Sequence, residues 1–331
     1  MAVTMAEISK LRQMTGAGMM DCKKALTEAE NAMDKAIEIL RKKGQAVAAK
    51  REDRNAAEGC VLAQSVGEYA AVVALNCETD FVAKNAGFVG LTKSILAAAV
   101  EAKAKSLDDV KALEINGQKI ADLIVEESGK TGEKMELGAF EYVEAPATIA
   151  YNHFGNKLAT IVAFNKAGIE EQVYKKVAMQ VASMNPLAVD ECDVAEEVKE
   201  KEIAVAIEKT KAEQVQKAVD AALKKAGINP AHVDTEDHME SNKAKGWITE
   251  EDVAKAKEII ATVSAEKAAN LPEAMIQNIA KGRLGKFLKE VCLLNQEDVV
   301  AGDKKSVRET LKAVDADLKV LSFKRINLNV D

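Results

Sequence analysis

Pairs of apolar runs separated by short glycine turns occur twice in the chain, and each pair precedes a run with helical spacing. The turns are Gly67-Glu68 and Gly155-Asn156, which are residue pairs typical of β-hairpins. The predicted elements are strands at 60–66 and 69–75 before a helix at about 85–103, and strands at 147–154 and 157–164 before a helix at about 169–183. The repeated order predicts an α+β fold with two related subdomains, in which helices cover one face of each sheet.

The first 54 residues show helical spacing instead. Thr4 caps a predicted helix with Ile8 and Leu11 on one face, and a glycine-containing loop at 15–18 ends it. A second helix is predicted from Asp21, and a third from Met33 to Gly44. Three short helices around such a loop resemble a ubiquitin-associated domain, and residues 45–58 read as a charged, solvated helical linker.

The remaining pattern predicts further helices and two more strands. The predicted segments are a helix at 107–127, a loop at 128–133, a strand at 138–144, helices at about 194–225 and 249–263 around a loop at 227–246, and a strand at 320–329. We predict four domains: a helical module at 1–54, subdomains at 55–140 and at 141–198 with 281–331, and a helical-hairpin insertion at 199–280. The arm at 209–263 is either a solvated projection or a surface for docking or self-association.

Composition excludes several classes of protein. The chain has 331 residues, of which 30% are charged and 4% aromatic, and its formal net charge of −7 argues against general nucleic-acid binding. The pattern contains neither a membrane-length apolar run nor a signal-peptide core, so we expect a cytoplasmic protein without a membrane partner. The five cysteines are scattered and form no metal-ligand spacing with the histidines, so we expect no cofactor.

The candidate site is the corner between the first hairpin and its helix, at residues 76–85. Phe81 follows Asp80 there, and two interpretations stay open. In one, Asp80 caps the next helix and Phe81 packs into the local core. In the other, the rigid corner holds the ring in solvent as a wedge for another protein.

Two long motifs resemble the elongation factor Ts family, whose members are guanine-nucleotide exchange factors for elongation factor Tu. They are Leu11-Arg12-Gln13-Met14-Thr15-Gly16-Ala17-Gly18-Met19-Met20-Asp21-Cys22-Lys23-Lys24-Ala25-Leu26 and Thr79-Asp80-Phe81-Val82-Ala83-Lys84-Asn85. Similarity resumes at 282–287 and 290–294, and it covers most of the chain except about 209–263.

This resemblance implies a role in translation, in protein biosynthesis, without enzymatic chemistry. It implies binding to GDP-bound and nucleotide-free elongation factor Tu. Phe81 would insert near the helices that support the magnesium site of that GTPase, and GDP would leave so that GTP can load. Asp80 would order the corner or pair with a basic group of the partner, while Val82 and Ala83 would pack beside the ring.

The resemblance also implies contacts elsewhere. They fall on the N-terminal motif and on the second hairpin with its helix: Leu11, Arg12, Thr15, Met19, Met20, Lys23, Leu158, Ala159 and Gln180. Met19 and Met20 are alternatively core fillers. Leu158-Ala159 stands where the family often has Ile-Gly, and Gln180 where it often has His, so these contacts depart from the family pattern.

Two other classes of function stay open beside the exchange factor. An adaptor would bind the GTPase, or a ubiquitin-like fold, without promoting nucleotide release. An enzyme would need a nucleophile with a base close in space, and Cys77 has no histidine near it in sequence.

Overall fold

The computed structural model describes residues 3–51, 53–302 and 304–329, so Glu52 of the predicted linker and the extreme ends of the first and last predicted domains lie outside the described residues. The described chain forms two compact units, one at 1–189 with 297–331 and one at 190–296. Helices and small antiparallel sheets occur together, which confirms the α+β class. The finer division into four domains stays a prediction.

The elements alternate between hairpins and helices over the first half of the chain and are mostly helical afterwards. In chain order they are α1 (Met5–Thr15), α2 (Met19–Glu28), α3 (Met33–Ala49), β1 (Glu58–Val66), β2 (Tyr69–Cys77), α4 (Asp80–Ala83), α5 (Ala86–Glu101), α6 (Leu107–Ala112), β3 (Glu114–Ile115), β4 (Gln118–Lys119), α7 (Ile120–Thr131), β5 (Met135–Glu144), β6 (Ala147–Asn152), β7 (Leu158–Phe164), α8 (Glu171–Met184), α9 (Glu196–Lys225), α10 (Glu236–Ala244), α11 (Glu250–Ala269), α12 (Glu273–Val291), α13 (Val307–Val314) and β8 (Val320–Asn327).

Two antiparallel three-stranded sheets form the centre of the first unit. Their strand orders are β1-β2-β5 and β6-β7-β8, so both predicted hairpins are present and each gains a third strand. The sheets contact each other, while α5 packs on the outer face of the first sheet and α8 on that of the second. β5 crosses residues 140/141, the predicted boundary between the two core subdomains.

The two faces of β2 belong to two different cores. Tyr69, Val73 and Leu75 point into the core beneath the helices, whereas Ala70 and Ala74 belong to the core between the sheets. Every residue of β2 except Asn76 is buried. Strands buried on both faces read as continuous apolar runs, as this one does.

The N-terminal helices differ from the prediction in two places. α2 begins at Met19, two residues before the predicted Asp21, because Gly18 already adopts the extended conformation of an N-cap. α3 does not end at Gly44 but continues to Ala49. Gly44 instead faces Gly129 of α7, and the two glycines let the helix backbones approach closely.

Three other predicted segments are also wrong in detail. The predicted helix at 107–127 is broken by the β3–β4 hairpin, because Asn116 and Gly117 both have positive φ angles of 54° and 79°. The predicted loop at 128–133 is largely the last turn of α7. The predicted loop at 227–246 contains α10, which Thr235 caps through the backbone N–H of His238.

The second unit is helical. α9 packs against both α11 and α12, so three long helices cluster where two were predicted. Thr249 caps α11 with a capping box, as its sequence predicts. Arg283 on α12 donates to Glu213 on α9 at 2.6 Å, so the Arg283 guanidinium has a partner within the second unit.

We predict that Gly129→Ala destabilises the packing of the N-terminal helices on α7. A methyl group at this position would overlap the backbone of Gly44, which cannot move aside as a side chain end can. We expect a loss of about 1–3 kcal/mol in the free energy of unfolding, measured by urea denaturation.

The matched control is Gly90→Ala on α5, where a methyl group meets no atom within 4 Å. This variant should be more stable by roughly 0.5–1 kcal/mol, because alanine favours a helix over glycine. Equal effects of the two substitutions would contradict the close approach of α3 and α7.

Candidate functional site

The corner between β2 and α4 is held by hydrogen bonds from within the chain. Thr79, not the predicted Asp80, is the N-cap: its hydroxyl accepts the N–H of Val82 at 3.4 Å. Asp80 is instead the first residue of α4 and pairs with Lys84 at 2.6 Å. This hydrogen bond to Lys84 holds the pKa of Asp80 below its usual value.

Two carboxylates fix the backbone of this corner, one from the connection between α7 and β5 and one from the corner itself. Glu133 accepts the N–H of Thr79 at 3.0 Å and the Thr79 hydroxyl at 2.6 Å. In return, Glu78 accepts the N–H of Lys134 at 2.6 Å and a hydrogen bond from Arg54 at 3.0 Å. These reciprocal bonds join the end of β2 to the start of β5, so the corner has little freedom to move.

The charges of the corner follow from these contacts. The hydrogen bond from the Lys134 backbone lowers the pKa of Glu78, and Arg54 and Arg51 lower it further. Burial raises the pKa of the Cys77 thiol to about 12, with Glu133 adding to the effect. Cys77 is therefore a neutral thiol at physiological pH, which disfavours the nucleophile considered from the sequence.

Phe81 projects from this corner with 84% of its surface exposed. The interpretation that the ring packs into the local core is therefore wrong. Val82 is half-buried against the core and Ala83 is buried, so the residues after Phe81 anchor the short helix α4. The arrangement presents one apolar ring on a fixed support.

The N-terminal motif divides into buried and exposed residues. Leu11 is fully buried in the core of α1–α3, and Thr15 is buried with its hydroxyl donated to the Leu11 carbonyl at 2.7 Å. The exposed residues are Arg12, Met19, Met20 and Lys23. The interpretation of Met19 and Met20 as core fillers is wrong for both.

The predicted contacts on the second hairpin and its helix are buried. Ala159 lies between the two sheets, so its methyl group is accommodated within the protein, and Leu158 is buried beside it. Gln180 donates to the carbonyl of Glu297 at 3.0 Å and accepts the N–H of Val299 at 3.1 Å. These residues support the scaffold and expose little surface.

One exposed residue was missed by reasoning from the sequence. The strand predicted at 147–154 ends at Asn152, and Phe154 lies in the turn with 98% of its surface exposed. The sequence did carry a signal for this exposure in the Gly155-Asn156 pair that predicted the hairpin. A turn placed around that pair leaves Phe154 outside the strand.

A fixed corner that holds an aromatic ring in solvent is typical of a protein that acts by binding another protein. Comparison with known proteins identifies the family. The sequence profile described as "Elongation factor TS" matches residues 78–227 and 211–329. The chain belongs to the elongation factor Ts family of translation elongation factors, which are associated with guanine-nucleotide exchange.

Its relatives match over their whole length. Proteins named elongation factor Ts are 70% identical in Bacteroides thetaiotaomicron, 67% in Parabacteroides distasonis and 43% in Porphyromonas gingivalis. Each alignment covers 100% of both chains. Within the residues that the structure describes, no helix combines the length and apolar character of a membrane span.

We predict that Glu78→Gln weakens the fold at neutral pH but not in acid. Because the pKa of Glu78 is lower in the folded state, its carboxylate stabilises the protein above the usual value of 4.5. This contribution is lost as the pH falls through the folded-state pKa. We expect urea denaturation to show a loss of about 1 kcal/mol at pH 7.

The two proteins should converge as the pH falls below the folded-state pKa of Glu78, where the wild-type carboxyl is protonated. Glu101→Gln, a change of an exposed glutamate at the end of α5, is the control and should have little effect. A difference that is the same above and below the pKa of Glu78 would show that the charge of Glu78 is not what holds the corner.

Proposed function

We propose that this chain binds elongation factor Tu carrying GDP and promotes release of the GDP, so that GTP can load. The observation that carries the proposal is the exposure of Phe81, 84% of its surface, on a corner fixed by hydrogen bonds in a chain of this family. The elongation factor Ts names of the relatives support the same partner class.

The proposed mechanism is a competition between two ligands of one GTPase. A G protein holds its nucleotide partly through a magnesium ion that bridges phosphate oxygens and protein groups. Phe81 inserts into the G domain beside the helices that support this site and favours a conformation in which ion and phosphate fit poorly. The coupling is reciprocal, so an entering nucleotide weakens the exchange factor and expels it.

The energy for this displacement comes from burial of the ring. Removing a phenylalanine side chain from water contributes on the order of 2 kcal/mol, which corresponds to about a thirtyfold change in an equilibrium constant. The bonds of Glu133 to Thr79 hold the corner before the partner arrives. Little conformational entropy is then lost on binding, and more of the burial energy is available to displace the nucleotide.

The residues around the ring have distinct roles in this proposal. Asp80, paired with Lys84, orders the first turn of α4, and Val82 and Ala83 anchor it in the core. The exposed residues of the N-terminal motif form a second contact patch: Arg12, Met19, Met20 and Lys23. The buried predicted residues position the surfaces that bind: Leu11, Thr15, Leu158, Ala159 and Gln180.

No enzymatic step is part of the proposal. The buried thiol of Cys77 donates to the carbonyl of Thr79 at 3.2 Å, which gives it a structural role in the corner. A helical adaptor that binds the GTPase without accelerating release is the alternative from another class. The two differ in one observable, which is the rate of GDP dissociation in the complex.

We predict that Phe81→Ala largely abolishes the acceleration of GDP release. The wild-type chain should speed dissociation of fluorescently labelled GDP from elongation factor Tu. Because the variant lacks the wedge, its acceleration of GDP release should be roughly thirtyfold smaller than that of the wild type. The measurement is stopped-flow fluorescence after excess unlabelled GDP is added.

The control is Val66→Ala, which trims another exposed apolar side chain in the last residue of β1, at the opposite end of β1 and β2. This variant should match the wild type. Binding of the wild-type chain with GDP release at its basal rate would instead support the adaptor. If Phe81→Ala retains full activity, the ring is not the wedge.

A further inference from the structure

Phe154 is the other exposed phenylalanine of the chain. All seven phenylalanines lie within the described residues, and the remaining five are buried or half-buried. Phe154 lies in the turn between β6 and β7, where 98% of its surface is exposed. A large aromatic ring held almost wholly in water gains free energy when a partner buries it.

The turn that carries Phe154 is fixed to the first sheet. The side chain of Asn152 accepts the N–H of Ala63 at 2.7 Å and donates to the Ala63 carbonyl at 2.8 Å. On the other side of the turn, the carbonyl of Asn156 accepts the N–H of Val61 at 2.6 Å. These bonds use the backbone groups of β1 that β2 does not use.

The turn itself is closed by the chain. The N–H of His153 donates to the carbonyl of Leu158 at 2.9 Å, and the N–H of Asn156 donates to the carbonyl of His153 at 3.2 Å. Gly155 and Asn156 adopt positive φ angles of 89° and 55°. The ring of Phe154 is therefore presented on a defined support, as the ring of Phe81 is.

Both rings lie at the same end of the first sheet. Glu58, the first residue of β1, is paired in register with Cys77, the last residue of β2 before the Phe81 corner. Lys157 reaches from the other turn to Glu58, with 2.7 Å between Nζ and the carboxylate. The Lys84 hydrogen bond lowers the pKa of Asp80, and the charge of Lys157 adds to the same shift.

The surface between the rings has the composition of a protein-binding site. The ion pairs Glu58–Lys157 and Asp80–Lys84 lie there, so positive and negative charges balance around two apolar points. Aromatic anchors within a polar rim are characteristic of protein interfaces. An anionic membrane would favour an excess of basic side chains instead, which this surface and the net charge of −7 do not provide.

We propose that Phe154 is a second aromatic anchor that binds the same GTPase as Phe81 and contributes affinity rather than nucleotide displacement. This inference rests on the proposed function, because it assumes that the Phe81 corner docks on elongation factor Tu. The linked positions of the two turns then place Phe154 in the same interface. Phe81 acts on the nucleotide site, and Phe154 lengthens the lifetime of the complex.

The test separates affinity from the rate of GDP release. Phe154→Ala, Phe81→Ala and the control Val66→Ala are compared with the wild type for binding to nucleotide-free elongation factor Tu and for GDP release at rising concentrations of the factor. We expect Phe154→Ala to raise the Kd roughly tenfold and to leave the release rate at saturation within about twofold. Its circular dichroism should be unchanged, because the ring is exposed.

A photo-crosslinking residue identifies what covers this turn. Benzoylphenylalanine in place of Phe154 should link the chain to elongation factor Tu on illumination. A link to a second copy of the chain, or no link in a mixture where the complex forms, would overturn the inference.

The outcomes distinguish this inference from the proposed function. If the wild-type chain does not accelerate GDP release, the proposed function is refuted. If the wild type accelerates release and Phe81→Ala does not, while Phe154→Ala binds as tightly as the wild type, the proposed function stands and the second anchor is refuted.

Discussion

Two reciprocal carboxylate contacts govern the presentation of Phe81. Glu133 accepts the backbone N–H and the hydroxyl of Thr79, and Glu78 accepts the backbone N–H of Lys134. Water would favour collapse of the exposed ring onto nearby apolar surface, and the hydrogen bonds of the corner prevent the backbone from moving to allow it. The unfavourable exposure of the ring in the free chain is what makes its burial in a partner favourable.

The corner is only as rigid as the strand that leads into it. β2 lies in the middle of its sheet and is buried on both faces, with Tyr69 and Leu75 under the helices and Ala70 and Ala74 against the second sheet. The small side chains bring the second sheet close enough for its hairpin turn to bond to β1 at Val61 and Ala63. One packing arrangement therefore positions both exposed rings.

Sequence patterns predicted the parts of this arrangement that depend on local rules. Both hairpins have glycine turns, and α5 begins directly after its N-cap Asn85, where the spacing predicted a helix. The predicted end of α3 at Gly44 was wrong, because that glycine pairs with Gly129, 85 positions away in sequence, in a tertiary contact. The Phe81 corner was found through its motif, but Glu133, 54 residues from Thr79, carries no local signal of its role.

A tryptophan at position 81 would report most directly whether this side chain enters the GTPase. The chain has one tryptophan, so Phe81→Trp in a Trp247→Phe background gives a single reporter at the corner. Its emission should be typical of an indole in water for the free protein, shift to shorter wavelength when elongation factor Tu is added, and return when GDP is added in excess. An emission that stays unchanged in a complex shown to form by an independent binding measurement would contradict insertion of this side chain into the GTPase.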